Sequence, residues 1–269
     1  MPSSVSNPSH CLRILSAAFL LHSCCLELCL ASDPARPDAP QATSDQPNFD
    51  AIESIVEQGI KDGQMPGAVV VIASRERVLY RRAFGQRQEK PTAEPMTLDT
   101  VFDLASLTKP IATATSVMKL VGQGLISPHQ KVADILPEFG KHGKDEITVA
   151  DLLLHVGGLI PDNSLRDYGD GVQASWTNIC DLKPIAGRGK KFAYTDVGFI
   201  VLGKIVERVS KQTLDKFAQR NIFTPIGMTE TTFNPPESLK KRAAPTEQRN
   251  GQWIKGEVHD PRAHLLLGV

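Results

Sequence analysis

Beyond residue 47 the sequence holds one adjacent pair of β-rich runs and, after it, almost only helical periodicity. Ala68-Val-Val-Val-Ile-Ala73 and Val78-Leu-Tyr80, the latter continued by Ala83-Phe84, flank the charged Arg75-Glu-Arg77 and predict a hairpin. Two strands alone do not make a stable sheet, so the rest of a sheet is expected to be missing. Before the hairpin, Phe49, Ile52, Ile55, Val56 and Ile60 recur at helical spacing, and Gly63 with Pro66-Gly67 ends that helix. The stretch from Glu89 to Thr97, with Pro91 and Pro95, reads as loop.

After it, Val101-Phe-Asp-Leu-Ala-Ser106 leads into a helix whose buried face is Ile111, Ala114, Met118 and Val121, ending at Gly122 and Gly124. A further helical run, Ile147 to Leu154, stops at His155-Val-Gly-Gly158. Residues 160–191 are rich in Gly, Asp, Asn and Pro and are read as long surface loops. Phe199, Leu202, Val206 and Val209 give another helix, and Leu214 to Ile222 a shorter one. The expected fold class is α/β (α+β): an antiparallel sheet flanked by helices plus an all-helical subdomain, with the rest of the sheet missing.

Lys and Arg number 30 and Asp and Glu number 30, so the basic excess that nucleic-acid binding requires is absent. The first 31 residues differ from the rest: weakly basic His10 and Arg13, the apolar run Ile14 to Leu21, then Cys24, Cys25, Cys29 and Ala31. That layout resembles a secretory signal peptide (1–31), followed by a Pro-rich linker (32–47), and predicts export to the periplasm or outside the cell. A membrane anchor is the alternative, but His22 and Glu27 interrupt the apolar run before bilayer-spanning length. Leu21-His22-Ser23-Cys24 leaves a lipoprotein reading open. Four of the five cysteines lie in this leader, so only Cys180 remains after cleavage near Ala31. A lone Cys of this kind is read as a small buried side chain.

The candidate nucleophile is in Ser106-Leu-Thr-Lys109. Residues three apart on a helix share a face, so the hydroxyl and the amine can meet. A serine hydroxyl is a weak nucleophile until a neighbouring base takes its proton. A buried lysine can be that base, because burial disfavours the charged form. A helix N-terminus also sets a positive dipole end near the anion that acyl transfer develops. Two other matches to the same spacing, Ser116 with Lys119 and Ser238 with Lys241, are read as helix interior and surface. Only Ser106 stands where a strand-like run meets a helix start; Pro110 is tolerated there because the first turn has unpaired N–H groups.

Three ordered stretches make the chain resemble the serine β-lactamase and penicillin-binding-protein superfamily. They are Phe102-Asp-Leu-Ala-Ser-Leu-Thr-Lys-Pro110, Leu152-Leu-Leu-His155-Val-Gly-Gly-Leu159, and Tyr194-Thr-Asp196 followed by Gly198 to Gly203. Ile222-Phe-Thr-Pro-Ile-Gly-Met228 adds to them. The branch most similar is that of class C β-lactamase-related esterases and D-amino-acid peptidases. The resemblance implies a β-lactamase-like domain over residues 48–269 and an acyl-enzyme on Ser106. Lys109 would be the base or hold the base active, and Tyr194 would shuttle a proton to the leaving group. A phenol ionises more readily beside a cation, and Lys109 is the candidate cation; the alternative for Tyr194 is a packed aromatic with its hydroxyl tied down.

Asp196 departs from the family pattern, which often has Asn there. An ionised Asp only accepts hydrogen bonds, and Asp196 is also placed to cap the following helix; capping is taken as its role, with substrate contact second. The departure leans toward an esterase or peptidase rather than a β-lactamase. His155-Val-Gly157 and Lys141-His-Gly143 match the family's third element formally but stand at the wrong places. The true third element, on a strand beside the serine, is absent after Tyr194, which implies a truncated chain.

The implied substrates are small esters, D-amino-acid peptides or β-lactams, with no cofactor and no membrane span after leader cleavage. His259, Asp260 and His264 lack metal-site spacing, so no metal is expected. The competing reading is a catalytically inactive remnant that binds cell-wall peptides or a protein partner.

Overall fold

The computed structural model describes residues 48–266 and 268. The leader, the Pro-rich linker and the four cysteines they contain lie outside the described residues. Helix α1 (Asp50–Lys61) covers the start of the domain. The hairpin follows: β1 (Gly67–Ala73) pairs antiparallel with β2 (Val78–Gln88), in register from Gly67 opposite Gly85 to Ile72 opposite Tyr80. Strand β2 therefore runs without a break through residues read from the sequence as two pieces. A two-residue strand β3 (Glu94–Pro95), within the predicted loop, adds to its other side. Among the described residues β1 pairs on one side only, and Val71 and Val78 stay more than half exposed.

The rest of the domain is helical, and its centre is α6 (Asp196–Ser210). Nine of its residues are buried, including the unbroken run Val197 to Gly203. A helix apolar all round must be covered on every side. Here α2 (Thr115–Gly122) brings Val117 and Leu120, and α4 (Val149–Leu153) brings Val149 and Leu152. Helix α7 (Leu214–Ala218), with Leu214 and Phe217, closes another side. Between α2 and α4 a short turn, α3 (Val132–Ile135), buries Val132. Thr148 starts α4 with a capping box: its hydroxyl accepts from Asp151 N–H and the Asp151 carboxylate accepts from Thr148 N–H. That cap moves the helix start two residues beyond Ile147.

Residues 160–191, read as loops, contain α5 (Val172–Asp181). Its Trp176, Ile179 and Cys180 enter the main core, and Lys144 Nζ, wholly buried, donates to the Cys180 carbonyl at its C-terminal end at 2.9 Å. The run from Leu214 continues past α7 as a wider, π-helical turn, Gln219–Phe223. After α8 (Glu237–Lys240), a second hairpin joins β4 (Pro245–Arg249) to β5 (Gln252–Lys255). It was not foreseen, and it forms a two-stranded sheet of its own. Lys255 Nζ ties it to the first sheet at 3.0 Å from Glu94 Oε2. Helix α9 (Pro261–Leu266) packs Ala263 and Leu266 into the core.

Candidate active site

The segment carrying Ser106 is held by a parallel bridge between Val101 and Ala243. Val101 N–H donates to Arg242 O at 3.1 Å, and Ala244 N–H donates to Val101 O at 2.8 Å. Two residues on, Asp103 Oδ1 accepts the Ala105 N–H at 2.9 Å. Ala105 then takes a left-handed backbone, φ 46°, which a side chain with a Cβ rarely adopts and which costs energy to maintain. That turn lifts Ser106 out of the surface, where it is exposed.

Ser106 lies in a single 3₁₀ turn, Ala105–Leu107, and the helix proper begins after it, at Lys109–Ala114, with π-helical bonding before it tightens into α2. Pro110, which has no N–H to give, sits at the second position of this widened turn. Its carbonyl accepts the Thr115 hydroxyl at 2.7 Å. Bulges of this kind recur at functional sites because they re-aim the side chains on the turn.

The structure brings Ser106, Lys109, Tyr194 and Asp196 together. Lys109 is 3% exposed; its Nζ donates to Ser106 Oγ at 3.1 Å and pairs with Asp196 Oδ1 at 2.7 Å. The same Nζ stands 5.1 Å from the centre of the Tyr194 ring and 6.0 Å from that of Phe199. Tyr194 itself is 46% exposed, so the group opens to solvent.

The expected capping role of Asp196 is not what is found. Thr195 caps α6: its hydroxyl accepts the Gly198 N–H at 3.2 Å and donates to Ile160 O at 2.6 Å. Asp196, first residue of the helix, turns instead to Lys109. Thr195 has β-region angles and a side-chain oxygen in reach of the third amide, which is the geometry a cap requires.

The competing serines fall away on position. Ser116 is buried while Lys119 is exposed, so the two point apart, and Ser238 and Lys241 lie on the surface. His155 is packed beneath Tyr194. His142, next to Lys141, faces Asp181 at 3.6 Å. Cys180 is buried, and that burial pushes its thiol up to about 12, which removes it as a nucleophile at ordinary pH. His259 Nδ1 is engaged with Asp103 at 2.9 Å; Asp260 pairs with Arg262 at 3.2 Å, and Arg262 also reaches Asp162 at 2.6 Å. Among the described residues no three His, Cys, Asp or Glu side chains are grouped to hold a metal ion.

The match to the Beta-lactamase family runs over residues 52–264. The chain belongs to that family. An N-acetylmuramyl-L-alanine amidase of Bacillus subtilis is 29% identical over 250 residues, covering 80% of this chain and 56% of the relative. A putative D-alanyl-D-alanine carboxypeptidase of Escherichia coli K12 is 29% identical over 229 residues, 76% of this chain and 52% of the relative. The chain thus spans about half the length of the curated relatives it matches. Among solved structures, a penicillin-binding protein homologue from Caulobacter crescentus superposes with TM-score 0.64 at 27% identity, covering 77% of this chain and 55% of its own. A class C β-lactamase, 19% identical, shares the fold with TM-score 0.69 over 82% of this chain and 58% of its own. The β-lactamase-like fold expected from the sequence is the one found.

Proposed function

We propose that this chain carries the nucleophile of an exported serine hydrolase that acts on esters, D-amino-acid peptides or β-lactams through an acyl-enzyme. The observation that carries the proposal is the shared ammonium: Lys109 Nζ bridges Ser106 Oγ at 3.1 Å and Asp196 Oδ1 at 2.7 Å. A hydroxyl fixed beside a buried cation is oriented for attack, and the oxyanion it forms is stabilised there.

Ser106 Oγ attacks the acyl carbonyl while its proton passes to the Tyr194 oxygen, which acts as the base beside the Lys109 ammonium. The same proton goes to the leaving alcohol or amine as the acyl bond breaks, leaving an ester on Ser106. Water then attacks that ester, releases the acid and returns the proton to Ser106. Asp196 accepts but does not donate, so it cannot give the hydrogen bond to a substrate carbonyl that the family's Asn supplies, and this departure leans toward an ester or peptide over a β-lactam. Names of curated relatives, an amidase and a putative carboxypeptidase, point the same way. Export rests on the leader formed by residues 1–31.

The binding-remnant reading is favoured by one feature, the edge of β1 that stays unpaired among the described residues. A panel of p-nitrophenyl esters, a D-alanyl-D-alanine peptide and a chromogenic cephalosporin separates the readings. Turnover of ester or peptide above that of Ser106→Ala supports the proposal. Peptide affinity without turnover of any of the three supports the remnant.

A further inference from the structure

Both backbone amides that bracket Tyr194 end on one residue. Ala193 N–H donates to the His155 carbonyl at 2.9 Å, and Thr195 N–H donates to His155 Nδ1 at 3.1 Å. The imidazole also lies against the Tyr194 ring, centroids 4.6 Å apart and planes tilted by 33°. On its other sides are Phe199 at 5.0 Å and the edge of Phe192 at 5.8 Å. The whole arrangement hangs on a backbone in the left-handed region, with His155 at φ 57°. Such a φ is held only where the surroundings enforce it.

We propose that His155 is a positioning residue that holds Tyr194 over Lys109 in its neutral, Nε2-protonated form, and that protonation of Nδ1 releases Tyr194 at acid pH. Only the activity readouts below rest on the hydrolase reading. An Nδ1 that accepts a hydrogen bond has its lone pair in use, so the ring proton is on Nε2. Adding a second proton removes that acceptor, frees the Thr195 amide and sets a cation beside Lys109.

The charged groups facing the ring are Lys109, from the nucleophile segment, and Asp196, from α6; Tyr194 is the titratable group stacked on it. Burial pushes the His155 pKa down, Lys109 pushes it the same way, and Asp196 opposes them. The neutral ring therefore persists below the ordinary histidine value of about 6.5. The site works above that value and is lost as pH falls through the lowered one.

Two variants separate acceptor from ring. His155→Asn puts Oδ1 where Nδ1 stands, tolerates the left-handed backbone, and does not titrate. His155→Phe keeps the aromatic contact and loses the acceptor. The test follows Ser106 labelling by a fluorophosphonate across pH in the full chain, and ¹⁵N NMR of the histidine rings. The Phe variant is expected to label about 10²-fold more slowly than wild type, with half-saturating probe concentration unchanged. The Asn variant recovers most of that loss and lacks the acid limb of the wild-type profile. NMR is expected to show His155 with a free-base Nδ1 and protonated Nε2, titrating below 6.5.

An Nδ1–H tautomer, or titration at or above 6.5, overturns the proposal whether or not the protein is active. So does an Asn variant with the wild-type acid limb, which decides the matter if the Phe variant fails to fold. Absence of labelling in wild type counts against the hydrolase reading, and the NMR result then decides His155 alone.

Discussion

The Asp103 carboxylate meets His259 Nδ1 at 2.9 Å across 156 positions of sequence, while its other oxygen holds the Ala105 amide at 2.9 Å. One side chain thus links the last quarter of the domain to the strained turn that presents Ser106. Burial pushes the Asp103 carboxyl up, but hydrogen bonds from His259 and Ala105 outweigh it and the net shift is down. A carboxylate with a lowered folded value contributes stability that is complete above its unfolded value of about 3.9 and lost as pH falls through the folded one. Urea titrations from pH 5 to pH 2 should show Asp103→Asn with a shallower loss than wild type. Equal slopes in the two proteins would remove this link from the account.

Lys109 is buried between a hydroxyl and a carboxylate, so its removal acts on chemistry and stability together. Lys109→Met should slow Ser106 labelling by at least about 10³-fold. Because Asp196 keeps some contact with solvent, leaving it unpaired should cost about 1–3 kcal/mol rather than the larger penalty of a fully buried orphan charge. Labelling kinetics and denaturant midpoints measured on the same sample check both figures.

Thr195 is buried and joins Ile160 O to Gly198 N–H. Thr195→Ala loses a helix cap and leaves a carbonyl without its donor, so a loss of about 2 kcal/mol is expected. The midpoint should fall with an unchanged denaturant slope.

Gly158 has φ 75°, and a Cβ added there would clash with the Ala186 carbonyl oxygen. Gly158→Ala must therefore push residues 185–187 away and break the Ile185 N–H to Gly158 O bond of 2.8 Å. Destabilisation of more than about 1 kcal/mol is expected, with faster amide exchange at Ile185 as the local marker.

The helices were legible where apolar spacing is dense, as for α1, α2 and α6, but the face of α2 was not: Val117 and Leu120 are buried, while Met118, expected on the buried face, is half exposed. The fold class was legible for the same reason, together with the ordered motifs. Helix α5 was hidden by its neighbours. Val172, Trp176, Ile179 and Cys180 keep helical spacing, but Gly, Asp and Asn on both sides set the composition of the stretch. The second hairpin carries one short-range signal in the sequence. Asn250-Gly251 is the two-residue turn that joins paired strands, and both residues have positive φ; exposed Thr246 to Arg249 gave no alternation to draw attention to it.

At the site, Ser106 with Lys109 could be read because three-residue spacing predicts their contact. The Lys109–Asp196 pair and the Asp103–His259 link could not, since each joins segments far apart in sequence. The cap of α6 is decided by backbone angles at the helix entry, which put Thr195 rather than Asp196 just outside the helix.

The central claim is that Ser106 becomes acylated. The direct measurement is peptide-mapped mass spectrometry of the chain from Asn48 onward after incubation with a fluorophosphonate, with Ser106→Ala as control. The account predicts one adduct, on Ser106, absent from the control and reduced in Lys109→Met. An adduct on another serine, or none on a folded protein, would contradict it.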